Sequence, residues 1–267
     1  MYKPLAFLKR DLLQELTYKL SFLLQMASIF FSLAMFYFIS KLVSPAASPY
    51  LAKYGGDYFP FILIGLAFYQ FLGTSLGSFS SALRGGQMMG TLEVMFLTPT
   101  NPYMIIISSS LFSYIYTSIE LTVYLIFGAL FFGFDIFAVN WPAFLLVFAL
   151  TIIAFSSLGI ISASFILVFK RGDPIAFLIH SLSGLFGGVF YPIEVLPDWL
   201  KIFPKVLPIT YSLEAFRACI MKGSGIAEIS HELLALVIFT CVTLPPALLS
   251  FKLALAKAKR DGSLSGY

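Results

Sequence analysis

Residues 186–217 read FGGVFYPIEVLPDWLKIFPKVLPITYSLEAFR, and the fold turns on this stretch. An apolar run over 174–191 leads into it, marginally shorter than the ~20 residues a helix needs to cross the hydrocarbon core. The run ends at Gly187, Gly188, Tyr191 and Pro192, and Pro197, Pro204 and Pro208 then punctuate an amphipathic stretch carrying Trp199. That pattern predicts a helix that breaks near a membrane surface. Non-helical backbone at membrane depth is tolerated only where protein or a water-filled cavity covers it, so short re-entrant helices packed on other spans are expected. An interfacial loop with Trp199 as an aromatic-belt residue is the alternative.

Outward from this segment the chain stays apolar. Of 267 residues, 59% are hydrophobic and 11% charged, with a mean hydropathy of +0.92, against roughly 45–50% and about 25% in soluble domains. Too little polar surface remains to cover a water-facing exterior, so the composition specifies an integral membrane protein. Apolar runs near 20–40, 59–83, 104–134, 142–169, 174–191 and 233–251 predict six transmembrane helices in an all-α membrane protein. The first run is too long for a signal peptide, and Asp11 and Glu15 precede it, so it is expected to remain. With the N-terminus inside, Lys3, Lys9, Arg10, Lys19, Arg84, Lys170, Arg171, Lys252, Lys257, Lys259 and Arg260 share one side, against Lys41, Lys53, Lys201, Lys205, Arg217 and Lys222 on the other. The excess places both termini in the cytoplasm and the protein in the inner or plasma membrane. The domain reading follows: an amphipathic interface helix over 1–19, a six-span domain over 20–251 and a cytoplasmic tail over 252–267. In the first of these, Leu5, Leu8, Leu12, Leu13 and Leu16 oppose Lys9, Arg10, Asp11 and Glu15 at helical spacing.

The longest cytoplasmic loop contains GTLEVMFLTPT, residues 90–100. Gly90 opens it, Thr91 is a good N-cap, and Glu93 lies in a first turn where an acid complements the helix dipole. Leu92, Met95 and Phe96 make an apolar face, and Pro99 stops the helix. An apolar knob of this kind needs a groove on a partner, or else lies on lipid headgroups.

Several chemistries are absent from the sequence. No GxxxxGK[ST] loop is present, so nucleotide hydrolysis would belong to another polypeptide. Two His and two Cys leave no multi-histidine or four-cysteine metal set. Residues 181–184, Ser-Leu-Ser-Gly, lack the first glycine of a serine-protease turn, and neither His180 nor His231 makes a base of more than ordinary standing. Catalytic, cofactor and metal residues are therefore not expected, nor is nucleic-acid binding. The acid set within an apolar run is Glu120, amid Ser113, Tyr116, Thr117, Ser118 and Thr122. A carboxyl there must face protein or water, either as hydrogen-bonded helix glue or as a residue of a transport path. Gly73 and Gly77, and Gly184 and Gly188, are small-xxx-small pairs that signal close helix packing.

The order of parts resembles the permease subunits of type-2 ABC exporters, a family that includes drug, polysaccharide and nodulation-factor exporters. GTLEVMFLTPT is similar to the GTLE-x-L-x-TP element of the drug and nodulation-factor branch, and 186–217 resembles the family's outer segment of FYP, LP-x-WL and a later LP-x-T-Y. The resemblance implies a homodimer, or a heterodimer, with two ABC ATPase subunits, and ATP and Mg held by those subunits. It makes 90–99 the coupling helix, carried by Gly90, Thr91, Leu92, Glu93, Met95, Phe96 and Pro99. It makes 187–217 an outer gate segment, so that Gly187, Gly188, Tyr191, Pro192 and Trp199, with Glu120, belong to the substrate path or gate. The cargo it implies is hydrophobic or amphipathic: a drug, a lipid or a lipid-linked glycan. The rival is an ion- or proton-coupled secondary transporter using Glu120, which would need inverted repeats and paired coupling residues that the sequence lacks.

Overall fold

The computed structural model describes residues 3–54, 56–97, 101–135, 139–170 and 172–261, without the side chains of residues 3, 4, 6, 7, 14–16, 44–48, 92 and 93. Among the described residues every regular element is helical. In order these are α1 (Lys3–Thr17), α2 (Lys19–Leu51), α3 (Tyr58–Met88), α4 (Thr91–Leu97), α5 (Pro102–Phe132), α6 (Trp141–Phe169), α7 (Pro174–Phe186), α8 (Ile202–Val206), α9 (Pro208–Met221) and α10 (Ser230–Arg260). Single 3₁₀ turns occupy Ala52–Tyr54 and Ile193–Val195.

Local sequence explains where the helices start. The Asn101 carboxamide accepts from the Tyr103 amide at 3.0 Å, Asn140 from Ala143 at 3.2 Å and Asp173 from Ala176 at 3.0 Å. A proline lies at the first or second helical position of each of these helices, where its missing N–H costs nothing. At the other end of α5, Gly133 closes the helix at φ 71°, a left-handed conformation that a residue with a Cβ adopts at a cost.

Helix α6 is the hub. Apolar helices in lipid gain little from burying one another's hydrocarbon, so close packing and interhelical hydrogen bonds must hold them. Along α6, Thr151 donates to Ser212 of α9 at 3.0 Å, Ser156 meets Tyr114 of α5 at 2.7 Å and Ser162 meets Ser80 of α3 at 3.1 Å. Ser162 also donates to Asp173 before α7. Ser157 pairs with Thr243 at 2.7 Å and Ser164 with Ser250 at 3.3 Å, both on α10 and both 86 residues away. The constant offset means that α6 and α10 run parallel and in register. Gly159 lets α3 approach this hub, since a Cβ there would lie 2.8 Å from the Phe79 ring and 2.9 Å from the Ser75 carbonyl.

Among the described residues five helices are long and apolar enough to cross a membrane: residues 19–43 of α2, α3, α5, α6 and α10. The expected span over 174–191 is instead the 13-residue α7, which ends at Phe186. The sequence also places a tail from residue 252, whereas α10 continues to Arg260 because Phe251, Ala254, Leu255 and Ala258 are buried among Phe79, Leu83 and Phe96. Its last turn carries Lys257, Lys259 and Arg260, where cations suit the helix dipole. The first helix ends at Thr17, and the tail beyond Asp261 lies outside the described residues.

Helix α9 gives the broken segment after α7 its shape. It begins beside the middle of α6, where Ser212 meets Thr151, and ends at the first turn of α6, where the Asn140 amide donates to the Cys219 carbonyl at 3.1 Å. The backbone therefore turns at Gly187, makes an excursion through residues 188–207, and returns into the bundle as α9.

Replacing Gly159 with Val pushes α3 from α6 and is expected to cost about 1–3 kcal/mol. Ser157→Ala, which removes one hydroxyl pair, costs about 0.6 kcal/mol. Thermal unfolding of the purified protein in detergent separates the two, and equal losses would remove α6 from its role as hub.

Candidate functional site

The loop between α3 and α5 is built around a turn. The Met89 amide donates to the Gly85 carbonyl at 3.1 Å and Gly90 follows at φ 66°. Thr91 is the first residue of α4 rather than its cap, and its hydroxyl donates back to the Gly86 carbonyl at 3.4 Å. Phe96 is buried, packing with Phe79, Leu83, Ile105 and Phe251, and Met95 lies against the same cluster. The expected outward apolar face is thus corrected: Phe96 seats α4 on its own chain. The large apolar side chains left exposed are Met88, Met89, Val94 and Leu97. Gly90 lies in the turn, while the side chains of Leu92 and Glu93, and Pro99 altogether, lie outside the described residues.

The second region is the broken segment. The Gly187 amide donates to Ser183 at 2.9 Å, ending α7, and Gly188 turns at φ 74°. Tyr58 donates to the Phe190 carbonyl at 2.7 Å, and Tyr191 donates back to the Leu185 carbonyl. Pro192 accepts from the Val195 amide at 3.2 Å. Phe203 stacks on Phe186 at 4.7 Å between ring centroids, which brings the excursion back to its starting point. Gly187, Gly188, Tyr191 and Pro192 thus gather at one corner. Trp199 stands away from them, 75% exposed.

One buried side chain ties this corner together, and sequence reading counted it merely as an outer cation. Arg217 of α9 is 2% exposed. Its Nη2 donates to the Gly188 carbonyl at 2.9 Å and the Phe61 carbonyl at 3.0 Å, with the Val189 carbonyl at 3.5 Å. The guanidinium also lies over the Phe61 ring at 3.5 Å and 5.5 Å from the Tyr54 ring centroid. Carbonyls that leave the helical pattern at Gly188 need a donor, and Arg217 supplies it from another element. Gly65 completes the joint, since a Cβ there would collide with the Val189 carbonyl. The sequence clue is faint: Arg217 is a charged residue inside LEAFRACIM.

Electrostatics follow the burial. Arginine stays protonated even when buried, so the guanidinium carries its charge into this joint, with Glu214 and Glu194 among the charges that favour it. Lys53 pairs with Glu214 at 3.2 Å, and Tyr54 reaches the same carboxylate at 3.5 Å. Burial lowers the Lys53 ammonium, but Tyr54 and Glu214 outweigh it and hold it above its usual value.

Glu120 is elsewhere, on α5, and is 4% exposed. Sequence reading left it as hydrogen-bonded helix glue or a path residue, and within the single chain it is buried on the same helix as the buried Thr117, Leu121 and Tyr124. No group of three or more His, Cys, Asp or Glu that could hold a metal occurs among the described residues.

The family model described as ABC-2 type transporter matches residues 5–221, which takes in both regions. No curated protein matches the chain at a significant level.

Arg217→Ala leaves its carbonyls without their donor and is expected to lower stability by about 3–5 kcal/mol, as breaking a buried charged contact does. Arg217→Lys recovers part of the loss, because an ammonium keeps the charge but not the guanidinium geometry. Gly65→Ala attacks the same joint, so the double variant Gly65→Ala, Arg217→Ala falls short of the sum of the singles in unfolding measurements. Full additivity would show that the two residues act separately.

Proposed function

The chain belongs to the ABC-2 type transporter family, and from that premise we propose that it works as half of a permease homodimer whose loop at 90–99 docks on an ABC ATPase and whose segment 187–217 gates the exit. Family membership makes the chain the transmembrane, non-catalytic component of an ABC exporter, associated with an ABC ATPase partner. The ion-coupled carrier built on Glu120 gives way to that assignment. In the proposed cycle two ATPase subunits close on ATP and Mg, and α4 receives the movement. Helix α3 carries it toward the segment held by Arg217. Helix α7 with the turn after it counts as the fifth of six crossings, so both termini are cytoplasmic. The cargo is hydrophobic or amphipathic: a drug, a lipid or a lipid-linked glycan.

The observation that carries the coupling role is the seating of α4. Phe96 fixes the helix to the core formed by α3, α5 and α10, while Val94 and Leu97 project beside Met88 and Met89. A helix anchored on one side and apolar on the other can pass a push inward, which a loosely tethered loop cannot. The charge of Glu93 adds a partner for a basic or amide donor on the ATPase.

Glu93→Lys is the decisive substitution. In purified complex in lipid it is expected to keep the permease folded, abolish substrate-stimulated ATP hydrolysis and shed the ATPase, since truncating or reversing one member of a desolvated pair costs about 2–5 kcal/mol. Leu97→Asp weakens partner retention in the same assay, whereas Phe96→Ala lowers the unfolding temperature of the permease alone. Wild-type stimulation with full partner retention in Glu93→Lys would sink the coupling role.

A further inference from the structure

Beside the Arg217 joint lies a cavity of about 540 Å³ that the proposed cycle does not use. Its walls come from four places: Glu194 in the 3₁₀ turn, Lys201 and Lys205 around α8, Thr210, Tyr211 and Glu214 on α9, and His231 at the start of α10. Two carboxylates and two ammonium groups surround one space. Among the described residues they do not pair across it: Glu214 is held by Lys53 at 3.2 Å and Lys201 by Asp198 at 2.8 Å. The Lys201 partner is readily given up, because the Asp198 side chain is 97% exposed. Tyr211 is committed to the wall, donating to the Lys205 carbonyl at 2.9 Å. A second observation points to a ligand: Thr210 is 4% exposed, lines the cavity, and its buried hydroxyl has no hydrogen-bond partner. Buried hydroxyls are ordinarily satisfied, so an unpartnered one on a residue of the cavity wall is a donor and acceptor that a bound polar group could use.

We propose that this cavity binds an amphoteric headgroup, with a phosphate at Lys201 and Lys205 and an ammonium or hydroxyl donor at Glu194 and Glu214. A purely anionic ligand would meet the two carboxylates and a purely cationic one the two lysines, so the mixed lining selects against both. Thr210, able to donate and to accept, serves the centre of such a molecule. The same headgroup chemistry occurs on a membrane lipid and on an exported lipid-like cargo. Its location on the exit side rests on the orientation proposed above. Binding itself requires no ATPase, so its failure and a failure of the coupling role are read in separate experiments.

The test uses the full chain in maltoside micelles and O-phosphoethanolamine as probe, followed by titration calorimetry. Saturable binding is expected, with inorganic phosphate and ethanolamine each at least about tenfold weaker. Lys205→Gln and Glu194→Gln each weaken the probe about tenfold without lowering the unfolding temperature, and Thr210→Val weakens it severalfold. Glu194→Gln leaves phosphate alone bound as before. Repeating the titration in nanodiscs assigns the source, and both results support the site. If phosphatidylethanolamine discs abolish probe binding while phosphatidylglycerol discs do not, the occupant is the lipid headgroup. If neither does, the cavity serves a cargo headgroup. No saturation below about 10 mM, equal affinity in all three variants, or phosphate binding as tight as the whole zwitterion would each overturn the proposal.

Discussion

A guanidinium without water must find acceptors, and backbone carbonyls that leave a helix must find donors. In this protein the two needs meet at Arg217. Its contacts with Phe61 and Gly188 join α3, the end of α7 and α9, elements that are far apart in sequence. Either side left alone would carry the cost of a buried unsatisfied group, about 1–3 kcal/mol or more when charged. Together they let a glycine turn exist inside a bundle whose other helices run uninterrupted. The closed backbone at Gly65 and the aromatic shelf of Phe61 and Tyr54 belong to the same arrangement. The cavity below α8 inherits its walls from it, since Glu214 lies one turn before Arg217 on α9.

The rest of the bundle is held by a different device. Serine and threonine hydroxyls along α6 reach α3, α5, α9 and α10, and each such bond is weak. Their number and the shared register with α10 make α6 and α10 one parallel unit. One end of that unit receives Phe96 from α4, and the other end receives α9. Force applied at α4 therefore meets a stiff body rather than a set of independent helices. That is the mechanical premise of the proposed coupling.

The apolar runs were legible because length alone distinguishes a membrane span, whereas the caps Asn101, Asn140 and Asp173 that start α5, α6 and α7 emerge from the structure. Gly187 and Gly188 announced the break, and Gly90 the turn before α4. Which face of α4 points inward was not legible. Phe96 and Val94 are both apolar, and only the position of Phe79 and Phe251, supplied by other helices, decides that Phe96 turns in. Arg217 was hidden for the same reason: its acceptor at Phe61 is 156 residues away, and no local pattern encodes that distance. Glu120 reads as a path residue or as packing from sequence, and its enclosure depends on neighbours that the sequence does not place. The continuation of α10 past Lys252 was masked by its charges, although Phe251, Ala254, Leu255 and Ala258 keep the helical spacing of a buried stripe.

The shortness of α7 has an effect on the surrounding bilayer. Thirteen helical residues span only about 20 Å, some 10 Å less than an average hydrocarbon core. Phe177, Leu178 and Leu185 lie exposed along it. Wherever lipid, rather than a second copy of the chain, covers that flank, hydrophobic mismatch pulls the two leaflets toward each other. The protein would then carry its own thinned annulus, a place where acyl chains are splayed and a headgroup has a shorter oily distance to travel.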